Sequence, residues 1–141
     1  MSYQERMISS YAPFEFMIDG VSLGLNIEVK DISNKGLKII FNHDSSKELT
    51  NVFNLNTGSF YSLEMLKDND YVPINTIIEN FAWDSIAYII KKDSQIEMEI
   101  NWEWLYGSLE KGYYRIGKEV MNFRETGDYD TIMIYGYFEI K

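Results

Sequence analysis

The chain has 141 residues, of which 45% are hydrophobic and 16% aromatic, so it can fill the core of one domain. It carries 22 acidic against 13 basic residues, and its net charge of −9 repels phosphate backbones and anionic lipid. This charge argues against nucleic acid and membrane surfaces as partners. Because the chain contains no cysteine, disulfide bonds and cysteine-ligated zinc are excluded.

The pattern of apolar residues predicts neither a targeting segment nor a membrane span. No run approaches the roughly 18 consecutive apolar residues of a membrane span, and the first residues lack the apolar centre of a signal peptide. We therefore expect a soluble chain that is cytoplasmic as written, while its compartment stays open. Residues 1–19 are predicted to form an N-terminal extension in which Phe14, Phe16 and Ile18 alternate like a short edge strand. Residues 20–141 are predicted to form the domain.

The first half of that domain predicts a β-hairpin followed by a long loop. Apolar residues alternate with polar ones from Val21 to Val29, and again from Leu37 to Phe41 after a turn at Asn34–Gly36. From His43 to Gly58 the chain is rich in Asn, Asp, Ser and Lys. We expect a loop there, with a short edge strand around Val52 to Leu55.

Shorter strands follow. Tyr61, Leu63 and Met65 mark a strand, and Pro73 places the next short piece at a sheet edge. The segment from Asn75 to Trp83 is read as a loop, although its apolar residues also fit one helical turn.

Four further strands complete the pattern, and no long amphipathic helix or internal repeat occurs. They cover Ile86–Ile90, Gln95–Trp102, Tyr113–Met121 and Thr131–Ile140, with the last two joined by a connection from Asn122 to Asp130. Seven or more short strands at hairpin spacing predict an all-β antiparallel sandwich. An antiparallel barrel is the alternative.

The corner before the Tyr113 strand narrows the fold class. Gly112 suits a turn with positive φ, and Tyr114 follows it by two residues, with Leu109 shortly before. This spacing is typical of a tyrosine corner, in which the phenol bonds back to the backbone where the chain crosses between sheets. The sequence therefore predicts an immunoglobulin-like β-sandwich.

Two segments, WEWLYGSLEKGYYRI and NFRETGDYD, resemble the bacterial Ig-like domain of uncharacterised Firmicutes proteins. The resemblance covers about Gly20 to the end of the chain. Lys111 stands where family members commonly carry Pro. The resemblance implies the sandwich fold, no catalytic residues, and a domain often found at the end of membrane-attached or secreted chains. The residues that carry it are Trp102, Trp104, Leu105, Leu109, Gly112, Tyr114, Arg115 and the run Gly127–Asp130.

Candidates for chemistry are few, and we expect neither catalytic residues nor a cofactor. The single histidine, His43, is read as a solvated loop residue, so a nucleophile and base pair is missing. Glu97, Glu99 and Glu103 alternate on one strand, which favours a solvated face over a glycosidase-type acid pair.

An acidic cluster in the predicted connection between the last two strands is the candidate interaction loop. It consists of Arg124, Glu125, Asp128 and Asp130. Its spacing lacks the EF-hand layout. We expect Arg124 to pair with Asp128 or Asp130, rather than a calcium ion to bind, and no metal site is predicted.

Trp102, Trp104 and Tyr106 are the candidate aromatic site. On an exposed strand they would form a stacking platform for sugar rings, but bulky aromatic residues beside a corner usually belong to the core. We expect Trp102 to be the core anchor and Trp104 to be the more exposed.

These observations favour a non-catalytic Ig-like module that binds a protein through loops or a sheet edge. The alternative is an acidic immunity or inhibitor protein that neutralises a basic toxin, since opposite charge speeds capture. An enzyme is the third class. The sequence does not define the partner, the oligomeric state or the compartment.

Overall fold

The structure is a computed structural model that describes residues 20–141. The predicted edge strand at Phe14 to Ile18 lies outside the described residues. A 3-10 turn at Gly20–Ser22 comes first, and a short helix, α1 (Glu103–Tyr106), lies between the seventh and eighth strands. The nine strands are β1 (Leu23–Lys30), β2 (Gly36–Glu48), β3 (Asn54–Thr57), β4 (Ser62–Lys67), β5 (Asp70–Pro73), β6 (Tyr88–Ile90), β7 (Gln95–Asn101), β8 (Gly112–Glu125) and β9 (Asp128–Ile140).

The strands form two antiparallel sheets. The small sheet has the order β1-β2-β7. In the large sheet the long strand β8 pairs with β9 along its whole length on one side, and with β4 and then β3 on the other. β5 and β6 are added outside β4 and β3 respectively. This arrangement confirms the predicted immunoglobulin-like sandwich.

The core lies between the two sheets, where alternate residues of the strands meet. β2 contributes Ile39 and Phe41, β8 contributes Ile116 and Val120, and all four are fully buried. Phe138 of β9 stacks with centroid distances of 5.6 Å on both Trp102 and Tyr114. Burial of these large apolar side chains supplies the main driving force for the fold.

Two predictions for the segment after Phe41 were wrong. β2 continues to Glu48 instead of ending in a loop, because His43 and Glu48 pair with Leu25 and Leu23 of β1. The register of the two strands shifts between those pairs, at Gly24. Glycine fits there because its φ is 67° and because a Cβ at this position would lie 2.3 Å from the Asp44 carbonyl oxygen. β3 is also not an edge strand, because β6 and β8 flank it.

The prediction of a connection from Asn122 to Asp130 was also wrong. β8 and β9 continue to a turn at Thr126–Gly127, where Gly127 has φ 82°. A two-residue turn favours such a residue, and the polar side chains around it belong to paired strands. The loop at Asn75 to Trp83 and the edge position of Pro73 were predicted correctly.

Candidate binding surface

The corner residues form one buried end of the core. The Tyr114 hydroxyl donates to the Glu110 carbonyl at 2.6 Å, which is the tyrosine-corner bond, and burial raises the pKa of this phenol. Trp102 donates its indole N–H to the Asn34 carbonyl at 2.9 Å. Gly112 has φ 156°, and a Cβ there would lie 2.8 Å from Met65 Cε. Trp102, Tyr114 and Leu109 are buried, and they tie the corner to the first hairpin.

Arg115, the residue after Tyr114, lies between two tyrosine rings of the large sheet. Its guanidinium carbon is 4.6 Å from the Tyr71 ring centroid and 3.9 Å from that of Tyr135. Its Nε donates to Glu64 Oε1 at 2.7 Å. The charge is therefore neutralised and stacked within the sheet, so Arg115 stabilises β4, β5, β8 and β9 together.

The predicted interaction loop is the end of the β8–β9 hairpin. Arg124 Nε lies 2.8 Å from Asp128 Oδ1, and its Nη1 lies 2.9 Å from Asp130 Oδ2, as the ion-pair interpretation predicted. Hydrogen bonds to Asp130 and Asp128 raise the pKa of Arg124. Glu125 is exposed beside them. Within residues 20–141 no group of three or more His, Cys, Asp and Glu side chains is placed to hold a metal ion.

The prediction for His43 was wrong. Its side chain is 1% exposed, within β2, because that strand extends past it. Nδ1 accepts the Asp93 N–H at 2.9 Å, and Nε2 lies 2.8 Å from Glu48 Oε2. Asp93 in turn accepts from the backbone N–H and hydroxyl of Ser45. His43 therefore holds the β6–β7 turn against the end of β2.

Lys118 is a buried charge that the sequence analysis did not identify. It lies in the middle of β8, fully buried, and its Nζ donates to the carbonyls of Gly58 and Phe60, the latter at 2.7 Å. Burial lowers its pKa to about 8. The ammonium fixes the segment between β3 and β4, which carries Phe60 and Tyr61.

Six aromatic rings form a continuous cluster, which we call the aromatic patch. Trp83 is central, with centroid distances of 5.0 Å to Tyr61 and 6.0 Å to Trp104. Phe81 makes edge contacts with both tryptophans and is 40% exposed, while Trp104 is 46% exposed. Tyr61 is buried beneath, and burial raises the pKa of its phenol. The members are Phe60, Tyr61, Phe81, Trp83, Trp104 and Tyr106.

The patch combines three segments that are distant in sequence. α1 supplies Trp104 and Tyr106, the connection from β5 to β6 supplies Phe81 and Trp83, and the segment between β3 and β4 supplies Phe60 and Tyr61. The Ile77 N–H donates to the Leu105 carbonyl at 2.8 Å, which holds that connection against α1. The Asp84 carboxylate accepts from the Ser59 hydroxyl at 2.6 Å and the Ile86 N–H at 3.1 Å. The exposed rings are therefore held in place.

The part of the chain that supplies Phe81 and Trp83 also carries further exposed apolar side chains and acidic groups. Ile77, Ile86, Tyr88 and Ile89 are exposed in the same connection and in β6. The chain from Asp68 to Ile90 contains four acidic residues and neither Lys nor Arg. An exposed apolar cluster of this kind marks an interaction site more often than a random surface does.

The sequence predicted part of this surface. Trp104 is the more exposed tryptophan and Trp102 the core anchor, as expected, but β7 ends at Asn101, so the two do not share a strand face. Glu97 and Glu99 are exposed on β7, while Glu103 lies on α1. Phe81 and Trp83 were missed because they lie in a segment without periodicity. Their dense aromatic composition was the available signal.

Comparison with known proteins identifies one related family. The family described as bacterial Ig-like domain matches residues 19–133 of the chain. No curated protein matches. In residues 20–141 no helix is long and apolar enough to cross a membrane.

Proposed function

Because this chain belongs to the bacterial Ig-like domain family, we propose that it is a non-catalytic module whose ligand is another protein. Ig-like domains of this family are generally non-catalytic, often mediate protein interactions and are often associated with the cell surface. The aromatic patch is the contact surface in this proposal.

The exposed rings of Phe81 and Trp104 are the observation that carries this proposal. Tryptophan and other large aromatic side chains dominate the binding energy of protein interfaces, because they bury much area at little entropic cost. Here both rings pack against the half-buried Trp83, which in turn contacts the buried Tyr61, so the free chain already holds them in place. Preorganisation of this kind reduces the entropic cost of binding.

A capture experiment tests the patch. The full chain is immobilised and exposed to an extract of its host, and retained proteins are quantified by mass spectrometry. Phe81→Ser combined with Trp104→Ser is expected to reduce retention of the specific partner by about tenfold. Leu49→Ser is the matched control, since Leu49 is 59% exposed at the end of β2. A partner retained equally by the double variant contradicts the proposal for this surface.

The second candidate function is neutralisation of a basic toxin, and the net charge of −9 favours it. Complementary charge raises the association rate, and salt suppresses this effect. If the captured partner is a basic enzyme, the chain should inhibit it, and the association rate should fall steeply between about 10 mM and 200 mM salt. A toxin gene beside the gene of this chain would also favour this function. A partner that is neither basic nor inhibited contradicts it.

A further inference from the structure

From the edge strands of the two sheets, we infer that β6 accepts an extended segment of the partner as an added antiparallel strand. This inference rests on the proposed protein-binding function and specifies how the partner binds. It adds main-chain pairing to the side-chain contacts of the aromatic patch.

β6 differs from the other edge strands among the described residues. Edge strands usually carry charges or proline, which prevent pairing with other chains. β6 consists of Tyr88, Ile89 and Ile90, and the run from Ser85 to Ile90 contains no charge and no proline. The other edge strands all carry charged residues or proline. These residues are Glu28 and Lys30 in β1, Asp70 and Pro73 in β5, Glu97 and Glu99 in β7, and Asp128, Asp130 and Glu139 in β9.

The edge of β6 is also available. Within residues 20–141, β6 pairs with β3 alone and is the last strand of its row in the large sheet. Tyr88 is 36% exposed and Ile89 is 66% exposed. A free edge that displays apolar side chains is a template for another strand, because the open backbone groups and the side chains both gain partners.

Charges at the two ends of β6 specify the occupant. Asp84 precedes the strand and Lys91 and Lys92 follow it. In an antiparallel pair, the N-terminal end of the added strand lies beside the two lysines, and its C-terminal end lies towards Asp84. The matching partner segment is therefore apolar in its middle, acidic at its N-terminal end and basic at its C-terminal end. The adjacent patch residues Phe81 and Trp83 extend the contact.

Two peptides of one composition test this inference on the full chain. The probe has the sequence Glu-Glu-Val-Thr-Val-Thr-Val-Lys-Lys, with both ends blocked, and the control carries the lysines first and the glutamates last. We expect the probe to shift the amide resonances of Tyr88 to Ile90 and to slow their hydrogen exchange. Its affinity should exceed that of the charge-reversed control by about tenfold.

Backbone pairing is separated from side-chain binding by a third peptide. This peptide is the probe with N-methyl groups on alternate residues, which block the N–H groups along one of its two edges. It is made in two versions, one for each edge. One of the two should lose binding, since it lacks the N–H groups that face β6. Ile89→Asp should also lower the affinity for the probe by about tenfold, whereas Leu49→Asp should leave this affinity unchanged. Both side chains are exposed, so both variants are expected to fold.

Several results would overturn the inference. The first is equal binding of the probe, the charge-reversed control and the methylated peptides. The second is a set of amide resonance shifts confined to another strand, and the third is no binding of the probe. If the Tyr88 to Ile90 amides are already protected in the free monomeric chain, another part of the same chain covers the edge. If sedimentation shows a dimer that Ile89→Asp dissociates, the occupant is a second copy. A partner lost with Phe81→Ser and Trp104→Ser but kept with Ile89→Asp would uphold the proposed function and refute this inference alone.

Discussion

Trp102 and Trp104 differ in exposure because of where each indole stands relative to the end of β7. Trp102 directly follows the last residue of β7, is fully buried, and donates its N–H to the Asn34 carbonyl. Trp104 lies two residues further, on α1, and packs its ring against Trp83 and Phe81 at the surface. A buried indole needs a hydrogen-bond acceptor, and the Asn34 carbonyl supplies it for Trp102. Trp102 therefore stabilises the fold, while Trp104 keeps 46% of its surface exposed.

Removal of the Tyr114 hydroxyl tests the corner. Tyr114→Phe is expected to lower the free energy of unfolding by about 0.5 to 1.5 kcal/mol, because the bond to the Glu110 carbonyl is lost. Urea denaturation measures the change. Tyr129→Phe is the control, since Tyr129 is 50% exposed and should lose less. Equal midpoints for Tyr114→Phe and the unchanged chain would mean that the corner bond adds no stability.

Lys118 makes stability depend on pH in the alkaline range. Burial lowers its pKa from 10.5 to about 8. Between these values the unfolded chain binds more protons than the folded chain, so the free energy of unfolding rises with pH. The rise attributable to this residue is at most about 3 kcal/mol. Lys118→Met should abolish it, and the difference between the two chains from pH 7 to pH 10 measures it. A constant difference would mean that Lys118 titrates normally.

At the level of elements, regular alternation of apolar residues was what made strands predictable. β1, β7 and the central parts of β8 and β9 alternate, and they lie close to where they were predicted. The end of β2, His43 to Glu48, is polar throughout, so only its pairing with β1 makes it a strand. The aromatic patch was not predictable as a unit, because sheet closure alone brings Phe60, Trp83 and Trp104 together.

The β8–β9 hairpin end provides a prediction about metal ions. Arg124 already pairs with Asp128 and Asp130, so calcium would have to displace a guanidinium from two carboxylates. We expect the melting temperature to stay unchanged when calcium is added at about 1 mM or removed with EDTA. Arg124→Met should change the free energy of unfolding little, because both carboxylates are exposed and solvent screens the ion pairs. A rise of several degrees with calcium, abolished by Asp128→Asn, would instead make this hairpin end a metal site.

Over the whole molecule, the excess of acidic residues is accommodated by local hydrogen bonds at the surface. A hydrogen bond from the Ser59 hydroxyl lowers the pKa of Asp84, and bonds from Ser45 lower that of Asp93. Asp44 has a lowered pKa because of Ser46, and Glu97 because of Lys30. These carboxylates lie at the margins of both sheets, so the charge state of the surface is linked to the stability of the entire sandwich.

Acidification should therefore destabilise the domain through several carboxylates together. When folding lowers the pKa of a carboxyl group, the unfolded chain takes up the proton at a higher pH than the folded chain does. The contribution of that group to the free energy of unfolding is therefore present above about pH 4 and is lost as the pH falls further. We expect the free energy of unfolding to fall steeply between about pH 5 and pH 3. Ser59→Ala removes the main donor to Asp84 and should make this fall shallower, whereas Ser85→Ala, a neighbouring exposed serine, should not. Urea denaturation at a series of pH values measures both slopes. Identical slopes for Ser59→Ala and the unchanged chain would show that this hydrogen bond is not coupled to folding.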